Sequence, residues 1–261
     1  MQLYARIQGS GPPVVLLHGL FGSNENLGVI ARALAGDFTT YSLDLRNHGR
    51  SPHADSMDYP ALAADVAETL DAHDVGAAAV VGHSLGGKTA MELALSYPER
   101  VSRLAVIDIA PIEYGRRHDQ ELQAMRSLDL GTIRSRTDAD RALAQAIPNP
   151  AVRQFLLKNL VRSDGGFAWR IPLDTIANNY AAIAAAPTSR GSYRGPALFV
   201  RGGHSDYIPR TAERTIRERF PAARIETVDG GAHWVHVDSL EPFLELLRPF
   251  LVISSATPGS Q

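Results

Sequence analysis

The pentapeptide Gly82-His83-Ser84-Leu85-Gly86 sets a serine between two glycines, after the apolar run Ala77–Val81 and before a helix of small residues and Leu. A strand that turns this sharply into a helix forces its central residue into strained backbone geometry, and only glycines on either side let the chain approach closely enough. Such a turn lifts the Ser84 hydroxyl clear of the sheet. The helix that follows aims its first amides at whatever the hydroxyl attacks. A serine hydroxyl is a poor nucleophile until a base takes its proton, and that base must be oriented by a third group. The chemistry to look for is therefore acyl transfer through an activated serine.

Nine histidines could supply the base. His233 is the best placed, in the loop Gly230-Gly231-Ala232-His233 that follows a strand-like run at 224–228. His83 adjoins Ser84 but is expected to project elsewhere, and His18 is expected to brace the neighbouring turn by hydrogen bonds. His48, His53, His73 and His118 read as surface residues. His233, His236 and Asp238 sit in a loop with no further ligand, which argues against a metal site. No metal and no cofactor is expected. Two acids can orient the base. Asp206, in Gly202-Gly203-His204-Ser205-Asp206, follows the strand 197–201, the more usual position for such an acid. Asp108 ends the preceding strand among Ile107, Ile109 and Ala110, where an acid is costly to bury unless paired. The oxyanion of a tetrahedral intermediate needs preorganised donors worth about 3–4 kcal/mol each. The Leu85 amide supplies one, and the turn after His18-Gly19 the other, from Leu20 or alternatively Phe21.

These residues need a frame. Residues 2–8 read as a strand, 9–12 as a turn, and Val14–Leu17 as a strand covered on both faces. A helix over 25–36, a strand over 38–43, a helix over 60–74, the nucleophile strand and helix, and a strand over 102–109 follow. This alternation predicts an α/β fold, a mostly parallel sheet flanked by helices. Reactive groups in such sheets gather at the carboxyl ends of the strands. Ser84, Asp108 and the His18-Gly19 turn all fall there. Strand-like runs vanish between 111 and 194, and helices are expected near 118–130, 138–147, 150–162 and 173–186. We read this as a helical cap insertion folded over the sheet, with residues 1–110 and 195–253 forming the core. Strands at 197–201 and 224–228 and helices at 209–220 and 240–252 complete that core, and 254–261 is expected to fray. Phe21, Phe155, Trp169 and Tyr180 are the candidates to line an acyl pocket. Asp44 and Arg46 read as loop ties near the active edge, and Arg116-Arg117-His118-Asp119 as a solvated helix start.

Composition narrows the partners. The chain has 261 residues, a net charge of −2 and no cysteine, so it carries neither the field to attract nucleic acid nor any thiol chemistry. The first residues, Met1 to Ile7, alternate like a strand and lack the pattern of an export signal. No apolar run approaches the length of a bilayer span. A cytoplasmic protein without stable membrane insertion, acting on a small molecule, is the expectation; nothing in the sequence signals an oligomeric state.

Taken together, His18-Gly19-Leu20-Phe21-Gly22-Ser23, Asp44-Leu45-Arg46-Asn47-His48-Gly49, Gly82 to Lys88, Asp108-Ile109-Ala110-Pro111 and Gly231-Ala232-His233-Trp234-Val235-His236 resemble the α/β-hydrolase superfamily. Within it they are most similar to the small bacterial YbfF-type carboxylesterases. The resemblance covers nearly the whole chain and implies an α/β-hydrolase fold with a cap. It also implies cofactor-free ester hydrolysis through Ser84, His233 and an acid that maps onto Asp108. Members of that subgroup typically lack an aspartate at the position of Asp206, so this chain departs from them in having both. The expected function is a serine carboxylic ester hydrolase acting on small to medium acyl esters through an acyl-enzyme. The rival readings are thioester, lactone or C–C bond hydrolysis, perhydrolysis, or a hydrolase-like binding protein with little turnover.

Overall fold

The computed structural model describes residues 1–252. Its centre is a seven-stranded sheet made of β1 (Ala5–Gln8), β2 (Pro13–Leu17), β3 (Thr39–Leu43), β4 (Ala78–His83), β5 (Val101–Ile107), β8 (Ala197–Gly202) and β9 (Ala223–Val228). The spatial order is β1-β3-β2-β4-β5-β8-β9. Only β1 runs antiparallel to its neighbour, and every other pairing is parallel. Both faces are buried, as the continuous apolar runs require. Val15, Leu17, Val80, Val106 and Phe199 point into one core, while Val14, Leu16, Val81, Ile107 and Leu198 point into the other. That alternation is the two-residue period of a strand written onto sequences with no polar face.

Helices α1 (Gly28–Leu34), α2 (Tyr59–Ala72) and α3 (Leu85–Ser96) connect the first strands, and α9 (Glu213–Arg219), α10 (Val235–Asp238) and α11 (Leu240–Leu251) serve the last ones. Register brings the site together. Leu17 pairs with Gly82, His83 with Ile107, and Ile107 with Val200, so the loops leaving β2, β4, β5 and β8 start at one level.

Between β5 and β8 lie α4 (Asp119–Ser127), α5 (Arg136–Leu143), α6 (Pro150–Leu157), α7 (Leu173–Asn178) and α8 (Tyr180–Ala184). This segment is not wholly helical, contrary to the expectation. The helix read over 150–162 stops at Leu157, and β6 (Leu160–Ser163) pairs with β7 (Gly166–Trp169) as an antiparallel hairpin. Its turn is Asp164-Gly165, with Gly165 at φ +86°, a local signal strong enough to override the apolar run before it. The helix read over 173–186 is likewise broken at Asn179. The Asn179 side chain accepts from the Met57 amide at 3.1 Å and donates both to the Asp55 carbonyl at 2.7 Å and to the Thr175 carbonyl of the preceding turn at 2.9 Å. Apolar residues of the insertion, among them Leu122, Met125, Leu156 and Ile176, belong to the same cluster as Leu17 and Val80. The insertion thus shares the core of the sheet. Among the described residues no helix is long and apolar enough to cross a membrane. The expected fraying of 254–261 lies outside the described residues.

Candidate active site

Ser84 sits between β4 and α3 with φ +52° and ψ −115°, a conformation that costs on the order of 1–3 kcal/mol and persists only where the surroundings enforce it. Enforcement is steric. A Cβ on Gly82 would lie 2.2 Å from the Gly86 carbonyl oxygen, and one on Gly86 would lie 2.2 Å from that of Leu17. Both positions exclude any side chain, so the elbow can close this tightly only on glycine.

Asp108 follows β5, fully buried, with its own backbone at φ +50°. Its carboxylate is saturated with donors. Oδ1 accepts from the Gly202 amide at 2.9 Å; Oδ2 accepts from the Ser205 hydroxyl and, at 2.8 Å, from His233 Nδ1. A buried carboxylate with three donors is an acceptor held in one orientation. With Nδ1 carrying the proton, His233 Nε2 is left as a lone-pair acceptor. Tyr207 stacks on the imidazole face, with ring centres 3.8 Å apart and planes inclined by 18°. His83 Nε2 donates to the His233 carbonyl at 2.9 Å, which ties the loop of His233 directly to the elbow. No hydrogen bond joins the Ser84 hydroxyl to His233 among the described residues; such contacts are often long in unliganded sites and tighten with substrate.

The other acid is elsewhere. Asp206 has a side chain 76% exposed and pairs with Arg117 at 2.5 Å, and that guanidinium holds its carboxyl below the usual range. Arg117 also lies 4.5 Å over the Tyr207 ring. The two acids weighed from sequence are thus separated by burial: Asp108 meets His233, and Asp206 meets a cation at the surface.

Two histidines set the turn that faces Ser84. His18 Nδ1 donates to the Gly19 carbonyl at 2.8 Å, and its Nε2 accepts from the Leu45 amide at 3.0 Å. His48 Nδ1 donates to the Arg46 carbonyl at 2.9 Å, and its Nε2 accepts from the Phe21 amide at 3.2 Å. Each ring donates once and accepts once, so each must be neutral. Burial enforces this, lowering the pKa of His18 and carrying that of His48 down to about 3. Because His48 takes the Phe21 amide, the free donor of this turn is Leu20. The amides of Leu20 and Leu85 have no hydrogen-bond partner among the described residues. His48 was expected at the surface and is fully buried. His118, expected likewise, bonds Tyr180 through its amide at 2.9 Å and its Nδ1 at 2.8 Å, and burial lowers its pKa to about 4. The loop ties hold as read: Asp44 accepts from Asn24 and Arg50, and Arg46 grips Asp65 at 2.6 and 2.8 Å.

A cavity of about 30 Å³ opens beside Ser84, bounded by Leu20, Leu85, Lys88, Tyr180, Ile183 and Tyr207 among others. Of the four candidates for an acyl pocket, only Tyr180 borders it. Phe21 is buried beneath, edge-on to His118 at 6.1 Å. Phe155 packs on Trp234 at 5.2 Å. Trp169 faces a separate groove within the insertion and donates its indole N–H to the Met125 carbonyl at 3.0 Å. Ser205, Tyr207 and Lys88 are site residues that sequence reasoning passed over; Ser205 and Tyr207 flank the acid that attracted attention. Burial lowers the Lys88 pKa to about 7. No group of three His, Asp or Glu side chains is placed to hold a metal ion among the described residues.

The mostly parallel sheet flanked by helices agrees with what the family comparison finds. A family model described as the alpha/beta hydrolase fold matches residues 12–240, and the chain belongs to that family. Among its relatives is the sn-1-specific diacylglycerol lipase ABHD11 of Xenopus tropicalis, 41% identical over 251 residues that cover 92% of this chain and 78% of that protein. Esterase YbfF of Escherichia coli (strain K12) is 37% identical, with 95% of this chain and 96% of that protein covered. A solved marine microorganism esterase superposes with a TM-score of 0.93 at 38% identity, covering 96% of this chain and 99% of its own.

Proposed function

We propose that this protein is a cofactor-independent serine carboxylic ester hydrolase acting on esters of small to medium acyl chains. Ser84 attacks the ester carbonyl while His233 Nε2 accepts its proton and then passes it to the departing alcohol. Asp108 keeps the Nδ1–H tautomer in place and stabilises the imidazolium. The Leu85 and Leu20 amides hold the oxyanion. A water activated by His233 then releases the acid from the acyl-enzyme.

One observation carries this reading: His233 Nδ1 lies 2.8 Å from a fully buried Asp108 carboxylate. That contact commits the other ring nitrogen to proton acceptance. The relatives named esterase and lipase support the reaction class. A cavity of about 30 Å³ holds roughly two waters, which favours a short acyl group. Hydrolysis of p-nitrophenyl esters from C2 to C16 tests it. An optimum among the shorter chains that vanishes in Ser84→Ala is expected, and a flat or long-chain profile would reject it.

A further inference from the structure

Lys88 is buried at 2% exposure, one turn beyond the nucleophile, and its amide donates to the Ser84 carbonyl at 3.0 Å. Its side chain borders the same cavity as Ser84. At the far end its ammonium donates to the Ala184 carbonyl at 2.9 Å and the Ala185 carbonyl at 2.5 Å. These are the carbonyls where α8 ends, the pole of a helix that attracts a cation. The ammonium also lies 4.5 Å from the Tyr114 ring centre.

One turn further along α3, Glu92 is fully buried and accepts from the Thr188 amide at 2.6 Å and the Ser189 amide at 3.1 Å. Two opposite charges on one helix therefore hold the same returning segment of the insertion, the cation by its carbonyls and the anion by its amides. Buried charges are costly unless each is bonded, and here each is bonded to backbone of that segment. The tether has a consequence for the site. Ile183 and Ala184, immediately before or at the point of attachment, form part of the cavity wall.

We propose that Lys88 sets the depth of the acyl pocket by tethering its far wall, making it the residue that restricts the enzyme to short acyl chains. This rests on Ser84 being the nucleophile, since that places the acyl group in this cavity. Lys88→Met keeps the length of the side chain and removes its donors. The expected result is a rise of at least tenfold in the ratio of kcat/KM for the p-nitrophenyl octanoate and acetate esters. Lys88→Arg, which keeps donors for both carbonyls, should retain the short-chain profile.

Hydrogen exchange read without any turnover separates the two claims. In Lys88→Met the Tyr114 amide, which donates to the Ala184 carbonyl at 2.9 Å, and the segment 180–186 should exchange faster. A folded Lys88→Met protein with an unchanged ratio, or with unchanged protection there, would overturn the proposal. Wild type without ester turnover but with faster exchange in the variant would sink the esterase reading and leave the tether standing. If Lys88→Met does not fold, wild type trapped with ethyl and octyl phosphonates reads the same point. The octyl group should enter only with the Lys88 bonds to Ala184 and Ala185 broken, and an octyl adduct with both intact refutes the tether.

Discussion

Replacing Asp108 with Asn separates the two acids most sharply. The carboxylate accepts from His233 Nδ1 and Ser205 on one oxygen and from the Gly202 amide on the other. An amide group offers one acceptor oxygen and one NH2. If the NH2 faces His233, the ring must move its proton to Nε2, the tautomer that cannot take a proton from Ser84. If the NH2 faces Gly202, two donors meet, at a cost of about 1–3 kcal/mol. Either way the charge opposite the transient imidazolium is gone. At roughly 4 Å between charge centres and an effective dielectric of about 20, that attraction is worth about 4 kcal/mol, or about a thousandfold in rate. Asp206→Asn removes only an exposed pair with Arg117, worth below about 1 kcal/mol. The assay is kcat on p-nitrophenyl acetate, with thermal unfolding alongside. Asp108→Asn should fall by about a thousandfold or more, and Asp206→Asn by less than about fivefold. A larger loss at Asp206, or a loss under tenfold at Asp108, refutes the argument.

Stability should collapse in mild acid. His18, His48, His83, His118 and His236 all have folded pKa values lowered chiefly by burial, to about 3 for His48 and about 4 for His118 and His236. The unfolded chain protonates these rings near pH 6.5, so below that pH it binds more protons and folding weakens as the pH drops. With up to five protons involved the slope approaches roughly 7 kcal/mol per pH unit. Urea midpoints should fall steeply between pH 6.5 and about 4.5, and a midpoint constant down to pH 5 would contradict the buried-neutral assignment. His48→Phe leaves the Phe21 amide without its acceptor and should cost about 1–3 kcal/mol of stability. It should lower kcat more than it changes KM, because the Leu20 turn loosens; an unaltered kcat would show that the turn needs no such brace.

The legibility of this chain follows how local each signal is. The elbow at Ser84 needs only its flanking glycines and the strand and helix on either side, all of which are contiguous in sequence. Asp108 and His233 could be placed at one edge because parallel strands end there, although choosing between Asp108 and Asp206 needed burial, a property of the folded chain. The hairpin at 160–169 was hidden by Phe155-Leu156-Leu157 running into Leu160-Val161, while Asp164-Gly165 carried the turn signal in plain view. Burial of His48 and His118 depends on the Phe21 amide and the Tyr180 hydroxyl, neither of which is near in sequence. The aromatic residues Phe155 and Trp169 were the least legible. Composition says that they are buried somewhere, and only tertiary packing says against what.

A trapped acyl-enzyme tests the roles of Ser84, His233 and Asp108 most directly. Wild-type protein mixed with a slowly deacylating p-nitrophenyl ester, quenched in acid and digested, should carry one acyl group per chain, on the peptide containing Ser84. His233→Ala and Asp108→Asn should slow its formation at least a hundredfold. An acyl group on any other residue, or undiminished acylation at Ser84 without His233, would contradict the mechanism.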